Sequence, residues 1–195
     1  MIRTKSELKY YIDCDRIAMG KKRQAKPWND TYYFLYVYRK YEYWFNNKQK
    51  LSGKVMSLFW HIRFKRISMK CGFTIPINCI GPGLCLPHYG TIVISDDVTI
   101  GENCKIHAGS NIGTTNGKKE AKKIGNNVYI GPGAKLVGAG IIPDNVVIGA
   151  NAVVIGSIEE QGITVGGIPA KKISDNDSSM HLIKATEICA RHIQS

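Results

Sequence analysis

The 195-residue chain has no Cys-x-x-Cys pair, no long apolar run and few acidic side chains. Each absence removes a class of protein. The six cysteines (Cys14, Cys71, Cys79, Cys85, Cys104 and Cys189) lack metal-ligand spacing. No metal site is therefore expected, and the thiols read as free, small, buried hydrophobes. The longest uncharged stretch, residues 71–95, is broken by Pro76, Pro82 and Pro87 and does not read as a membrane span. The first twenty residues alternate charged and apolar side chains, with no secretory apolar segment, which points to a cytoplasmic protein. Disorder is excluded by composition, since 44% of residues are hydrophobic and 9% aromatic.

The shortage of acid is local. Residues 1–72 carry 17 Lys+Arg against 5 Asp+Glu, and residues 73–195 carry 10 against 10, so the net charge of +12 belongs to the first third. The same third holds 15 of the 18 aromatics, including Trp28, Trp44 and Trp60. Two compositions imply two structural regimes: an α-helical region over 1–72 and a repeat domain over 73–173, with a linker and a helix over 174–195 expected to cover the end of the coil.

In the front third, Thr4-Lys5-Ser6-Glu7 has capping-box spacing and starts a helix bearing Leu8, Tyr11, Ile12 and Met19. Asn29 or Asp30 caps a second helix, with Tyr33, Val37, Tyr41 and Trp44 on one stripe. Ser52 starts a third, with Val55, Phe59 and Ile62 expected to face inward and Gly72 just past its end. Such a basic, aromatic front has three readings. A solvated face is the ordinary one. Peripheral contact of residues 1–72 with an anionic membrane or lipid-linked acceptor comes second, and nucleic-acid binding comes last.

A six-residue period governs the rest. Ile94, Ile100, Ile106, Ile112, Ile124, Ile130, Leu136, Ile142, Ile148 and Val154 keep step, with one gap at Lys118 inside the polar loop 114–123. A second register of small residues or Val follows four positions later: Val98, Cys104, Ser110, Val128, Ala134, Gly140, Val146 and Ala152. This pattern describes a coil of short strands and tight corners, in which each turn buries its inside only by stacking on the next. Ile80, Leu86 and Ile92 keep the same step in another phase, so two extra residues enter around Pro87-His88-Tyr89-Gly90-Thr91. A stacked coil admits insertions only at outward bulges, which places His88 on the outside. His107 directly follows the inward Ile106 and also points out.

Gly81-Pro82-Gly83-Leu84 through Leu86-Pro87-His88-Tyr89-Gly90-Thr91-Ile92-Val93-Ile94 resembles the active-site segment of hexapeptide-repeat serine acetyltransferases. Residues 148–154 and Val165-Gly166-Gly167-Ile168-Pro169-Ala170-Lys171-Lys172-Ile173 resemble that family's last coils. The front, with Arg39-Lys40-Tyr41-Glu42-Tyr43, is similar to short versions found with surface-polysaccharide enzymes. The resemblance implies a mainly β fold, a left-handed parallel β-helix, in a homotrimer with sites between subunits. It implies acetyl transfer from acetyl-CoA to a hydroxyl, with Gly113 and Thr114 near the thioester and Gly131, Pro132 and Ala150 along the pantetheine arm. Lys171 and Lys172 would meet the CoA phosphates.

Residue chemistry leads to the same reaction. A hydroxyl is a weak nucleophile, and a neutral imidazole takes its proton as it attacks a thioester, so His88 is the expected general base. His107, Tyr89 and Asn116 are expected to contact the acceptor. Residues 114–119 superficially resemble a phosphate loop but lack its glycine spacing and following helix, which rejects a nucleotide hydrolase. The chain departs from the family at the acceptor. The aspartate fifteen residues before the catalytic histidine is Phe73 here, and the arginine–histidine pair before the re-entering strand is Glu120-Ala121. Glu120 would repel an amino-acid carboxylate. The leading expectation is therefore a sugar hydroxyl of a surface-polysaccharide precursor, with serine O-acetylation second and a non-catalytic trimeric scaffold or nucleic-acid-binding module third.

Overall fold

The computed structural model describes residues 1–27, 30–114 and 122–194, with side chains to residue 191. Three helices come first: α1 (Lys5–Ala18), α2 (Asp30–Asn46) and α3 (Leu51–Cys71). Thr4 caps α1 in a capping box with Glu7, and Gly72 ends α3 in the left-handed conformation at φ 77°. The strands that follow are short: β1 (Phe73–Thr74), β2 (Ile92–Ile94), β3 (Thr99–Ile100), β4 (Lys105–Ile106), β5 (Asn111–Gly113) and β6 (Lys122–Ile124). The next are β7 (Tyr129–Ile130), β8 (Lys135–Val137), β9 (Gly140–Ile142), β10 (Val147–Ile148), β11 (Val153–Ile155), β12 (Thr164–Gly166) and β13 (Lys171–Ser174). A final helix, α4, spans Ala185–Gln194.

The strands form three sheets, ordered β1-β2-β5-β8-β11, β3-β6-β9 and β4-β7-β10-β12-β13. Each strand pairs in parallel with the one a coil away, while β13 returns antiparallel on β12. The six-residue series is buried at every position from Ile94 to Val154, and Ile80, Leu86 and Ile92 are buried as well. In the second register Gly140 alone is half-buried. A parallel β-helix preceded by helices and followed by a short one is the architecture expected from the repeat.

Asparagine holds one edge. Asn103, Asn127 and Asn145 adopt positive φ (54–61°) at equivalent corners and form a ladder, each amide donating to the next oxygen at 3.0 Å. Asparagine tolerates this conformation and fills its side-chain bonds locally, which explains its recurrence. At the equivalent corner one coil earlier, Gly83 (φ 81°) replaces it, because a Cβ there would meet Asn103 Oδ1 at 2.5 Å.

The helical front closes the first coil. Phe34, Tyr38 and Phe64 pack on each other and on Phe73, so front and coil share one hydrophobic core. The edge facing them bears unpaired backbone groups, and charged side chains satisfy them. Fully buried Arg39 donates to the Ile80 and Gly81 carbonyls at 2.9 and 2.7 Å, while Asp15 accepts the Leu84 N–H at 2.8 Å. Arg39 is held between Asp15 and Glu42 at 2.8 and 2.9 Å. The carboxylates raise its pKa further, and burial pushes the Asp15 carboxyl above its usual range.

Four local expectations change. On α2, Val37 and Tyr41 are buried but Tyr33 and Trp44 only half so, with Phe34 and Tyr38 in the core. On α3 the phase is inverted, because Gly53, Ser57, Phe64 and Ile67 face the core and Val55, Phe59 and Ile62 are exposed. Lys122 and Lys123 belong to β6 rather than a loop, and buried Lys122 donates to the Ala139 and Gly156 carbonyls. The tail does not cap the far end of the coil, a place taken by β13. Ser178 bonds Asn127 and Asn145, Thr186 bonds Asn103, and α4 packs on α1 around Cys14, Ala18, Cys85, Ala185 and Cys189.

Candidate active site

His88 lies on the bulge between Leu86 and β2, with an exposed side chain. The bulge is pinned from behind: the Gly90 N–H donates to the Cys71 carbonyl at 2.9 Å, and Ile92 N–H to Gly72 at 3.1 Å. Gly90 has φ 131°, and a Cβ there would press on Ala108 at 3.0 Å. The His88 bulge is thereby tied to the end of α3. His88 and Tyr89 border a shallow cleft of about 260 Å³ whose other wall is Met19, Lys21, Asp30, Thr31 and Tyr32 from the front, with Asp30 paired to Lys70 at 2.6 Å.

Below His88 runs a row of rings along the coil. The ring of His107 lies 6.3 Å from that of His88, Tyr129 is 5.1 Å from His107, and His181 is 4.9 Å from Tyr129. Lys105 flanks the row, donating to the His181 carbonyl at 3.0 Å. Burial, then Lys105 and His88, lower the His107 pKa from its ordinary value, which favours the uncharged imidazole. Its Nε2 is buried without a partner among the described residues. A neutral, unpaired ring nitrogen one coil from His88 is suited to bond a substrate or partner group. Cys79, Cys85 and Cys104 are not nucleophile candidates, since burial pushes the first two up to about 11 and Cys104 to about 12.

The corner column of His107 continues through Gly131-Pro132 to Ala150, where a Cβ on Gly131 would stand 2.8 Å from the Ala150 nitrogen. His88, His107, Gly131, Pro132 and Ala150 thus share one corner of the coil. Gly113 ends β5 and Thr114 follows it toward the next corner, on another sheet of the coil from the first set. Lys171 and Lys172 stand on β13, both exposed. Lys172 is engaged by Glu160 at 2.5 Å and Asp175 at 2.7 Å, which neutralises its charge in this structure. Asn116 lies outside the described residues, as do Glu120 and Ala121. Phe73 is turned into the core, its ring edge-on to Phe34 at 5.0 Å, and contributes no group to the imidazole. Tyr129, His181 and the Lys21–Tyr32 wall were not anticipated. Tyr129 and Lys105 each precede an inward isoleucine of the repeat, so their outward direction was readable.

No family model matches the chain. It is 41% identical over 98 residues to the serine acetyltransferase of Helicobacter pylori, covering 49% of this chain and 56% of that protein. It is 44% identical over 93 residues to that of Staphylococcus aureus strain Mu50, covering 46% and 43%. The chain thus spans about half the length of the curated relatives it matches. Among solved structures, the serine acetyltransferase of Brucella abortus superposes with a TM-score of 0.68 at 22% identity, over 89% of this chain and 72% of that one. A serine acetyltransferase in complex with CoA gives 0.66 at 25% identity, over 87% and 70%. The architecture is therefore the left-handed β-helix of serine acetyltransferases.

Proposed function

We propose that the protein is an acetyl-CoA-dependent O-acetyltransferase with His88 as general base. The observation that carries this reading is an exposed histidine on a pinned outward bulge, one coil from a neutral, unpaired second histidine. His88 takes the proton of the acceptor hydroxyl as its oxygen attacks the thioester carbonyl. The charge that develops on the carbonyl oxygen calls for N–H donors at the coil corner. The proton then passes to the departing CoA sulfur, leaving an acetyl ester and CoA thiol. The small column of Gly131, Pro132 and Ala150 leaves room for the pantetheine arm, with exposed Lys171 toward the phosphates. Gly113 and Thr114, at another corner, serve the thioester when a second copy presents them, which is the reason to read the active form as a homotrimer.

Two acceptors have support. The names of the relatives favour L-serine over the sugar first expected. Phe73, whose buried ring leaves no carboxylate for His88, and the sequence Glu120-Ala121 favour a carbohydrate hydroxyl of surface-polysaccharide synthesis. Release of CoA thiol from acetyl-CoA, with L-serine against sugars, nucleotide sugars and polysaccharide fragments, decides between them. His88→Ala is expected to lower turnover on the accepted substrate by about 10²–10⁴-fold with unchanged melting. Turnover near the parent rate would sink the base assignment.

A further inference from the structure

The third helix was expected to turn Val55, Phe59 and Ile62 inward, and it turns them outward. Its exposed face carries Leu51, Val55, Leu58, Phe59, Ile62 and Met69, with Leu58 61% and Met69 75% exposed. On a 3.6-residue helix these positions form one stripe opposite buried Phe64 and Ile67. From Leu51 to Met69 the stripe is about 27 Å long. α3 is apolar on two sides, one docked on the core and one open.

The charge along this open stripe has one sign. α3 contains Lys54, Arg63, Lys65, Arg66 and Lys70 and no acidic residue. Lys54 and Lys65 fall along one border of the stripe and Arg63 and Lys70 along the other, while Arg66 stands within it between Ile62 and Met69. Lys70 pairs with Asp30, and Arg63 donates to the Tyr33 hydroxyl. Among the described residues no ion pair engages Lys54, Lys65 or Arg66.

We infer that the outer face of α3 is a docking surface for an anionic lipid bilayer, lying in the plane of the headgroups. The apolar stripe enters the acyl boundary while the bordering cations meet lipid phosphates. Charge selects this occupant over the same face of a second copy, because two such helices face to face would oppose Lys54, Arg63, Lys65 and Arg66 with no acidic residue on either one.

The test is co-sedimentation of the full chain with vesicles of phosphatidylglycerol and phosphatidylcholine, against phosphatidylcholine alone, at low and high salt. Two double variants sit on exposed positions: Lys65→Glu with Arg66→Glu, and Leu58→Ser with Ile62→Ser, each checked for unchanged melting. The expected result is binding to the anionic vesicles alone, weakened by salt, with each variant losing at least about tenfold in partitioning. Equal binding to both vesicles, no binding, or unchanged binding of both variants would overturn the inference. So would a fall in oligomeric mass of Leu58→Ser/Ile62→Ser by light scattering with no vesicle binding by the parent, which would make the face a subunit contact. Neither acetyl-CoA nor an acceptor enters the assay, so its outcome is independent of the proposed catalysis.

Discussion

The helical front and the coil bury their residues by different rules. In the coil, one aliphatic per six residues points in, and the same choice recurs at each turn, so a single phase fits the series from Ile94 to Val154. In the front, each helix meets a different neighbour, and α3 bears apolar side chains on opposite sides. Repetition makes orientation readable, while a lone helix with two apolar faces offers two phases of equal merit. Charge divides the same way, with the front holding the +12 and residues 73–195 neutral.

The sharpest way to break this contrast is at the joint. Arg39→Ala leaves Asp15 and Glu42 buried without their counter-charge and strips two carbonyls of their donor, at an expected cost of about 3–5 kcal/mol in urea unfolding. Fluorescence from front tryptophans and far-UV circular dichroism are expected to report one transition. Two separated transitions would show that front and coil fold independently. The next effect compares isoleucines. Ile130→Ala, inside the coil, is expected to cost about 2–5 kcal/mol, whereas Ile62→Ala on the open face of α3 should fall within about 0.5 kcal/mol. Comparable losses would mean that the outer face of α3 is covered.

Smaller effects come from the edges. Thr186→Val removes a hydroxyl bonded to Asn103 Nδ2 at 2.7 Å and leaves a buried amide short of a partner, for about 1–3 kcal/mol by thermal melting. The smallest concerns His107. Its pKa is lowered in the folded chain, so below about 6.5 the unfolded chain binds the proton more readily and folding stability falls with pH. Urea midpoints at acid and neutral pH should show His107→Gln losing less stability on acidification than the parent. An equal loss would mean that His107 titrates normally.

Much of the site was legible. His88 follows from a two-residue phase slip, and His107 from its place after an inward isoleucine. The wall of Lys21, Thr31 and Tyr32 was not, because it comes from a segment far from the bulge in sequence and brought there only by packing. Nor was the path of the tail, whose anchors are backbone and amide groups at the asparagine corners. Such partners leave no apolar periodicity to read.

That tail has a further consequence. Ser178 is fastened at Asn127 and Asn145, Thr186 at Asn103, and α4 beside α1 at the first coil. The segment thus measures the stack from its last turns back to its first. A β-helix grows readily by duplicating a turn, yet here each added turn would pull Thr186 away from its anchor unless the tail lengthened too. The tail works as a ruler, and it sets how many turns this architecture accommodates.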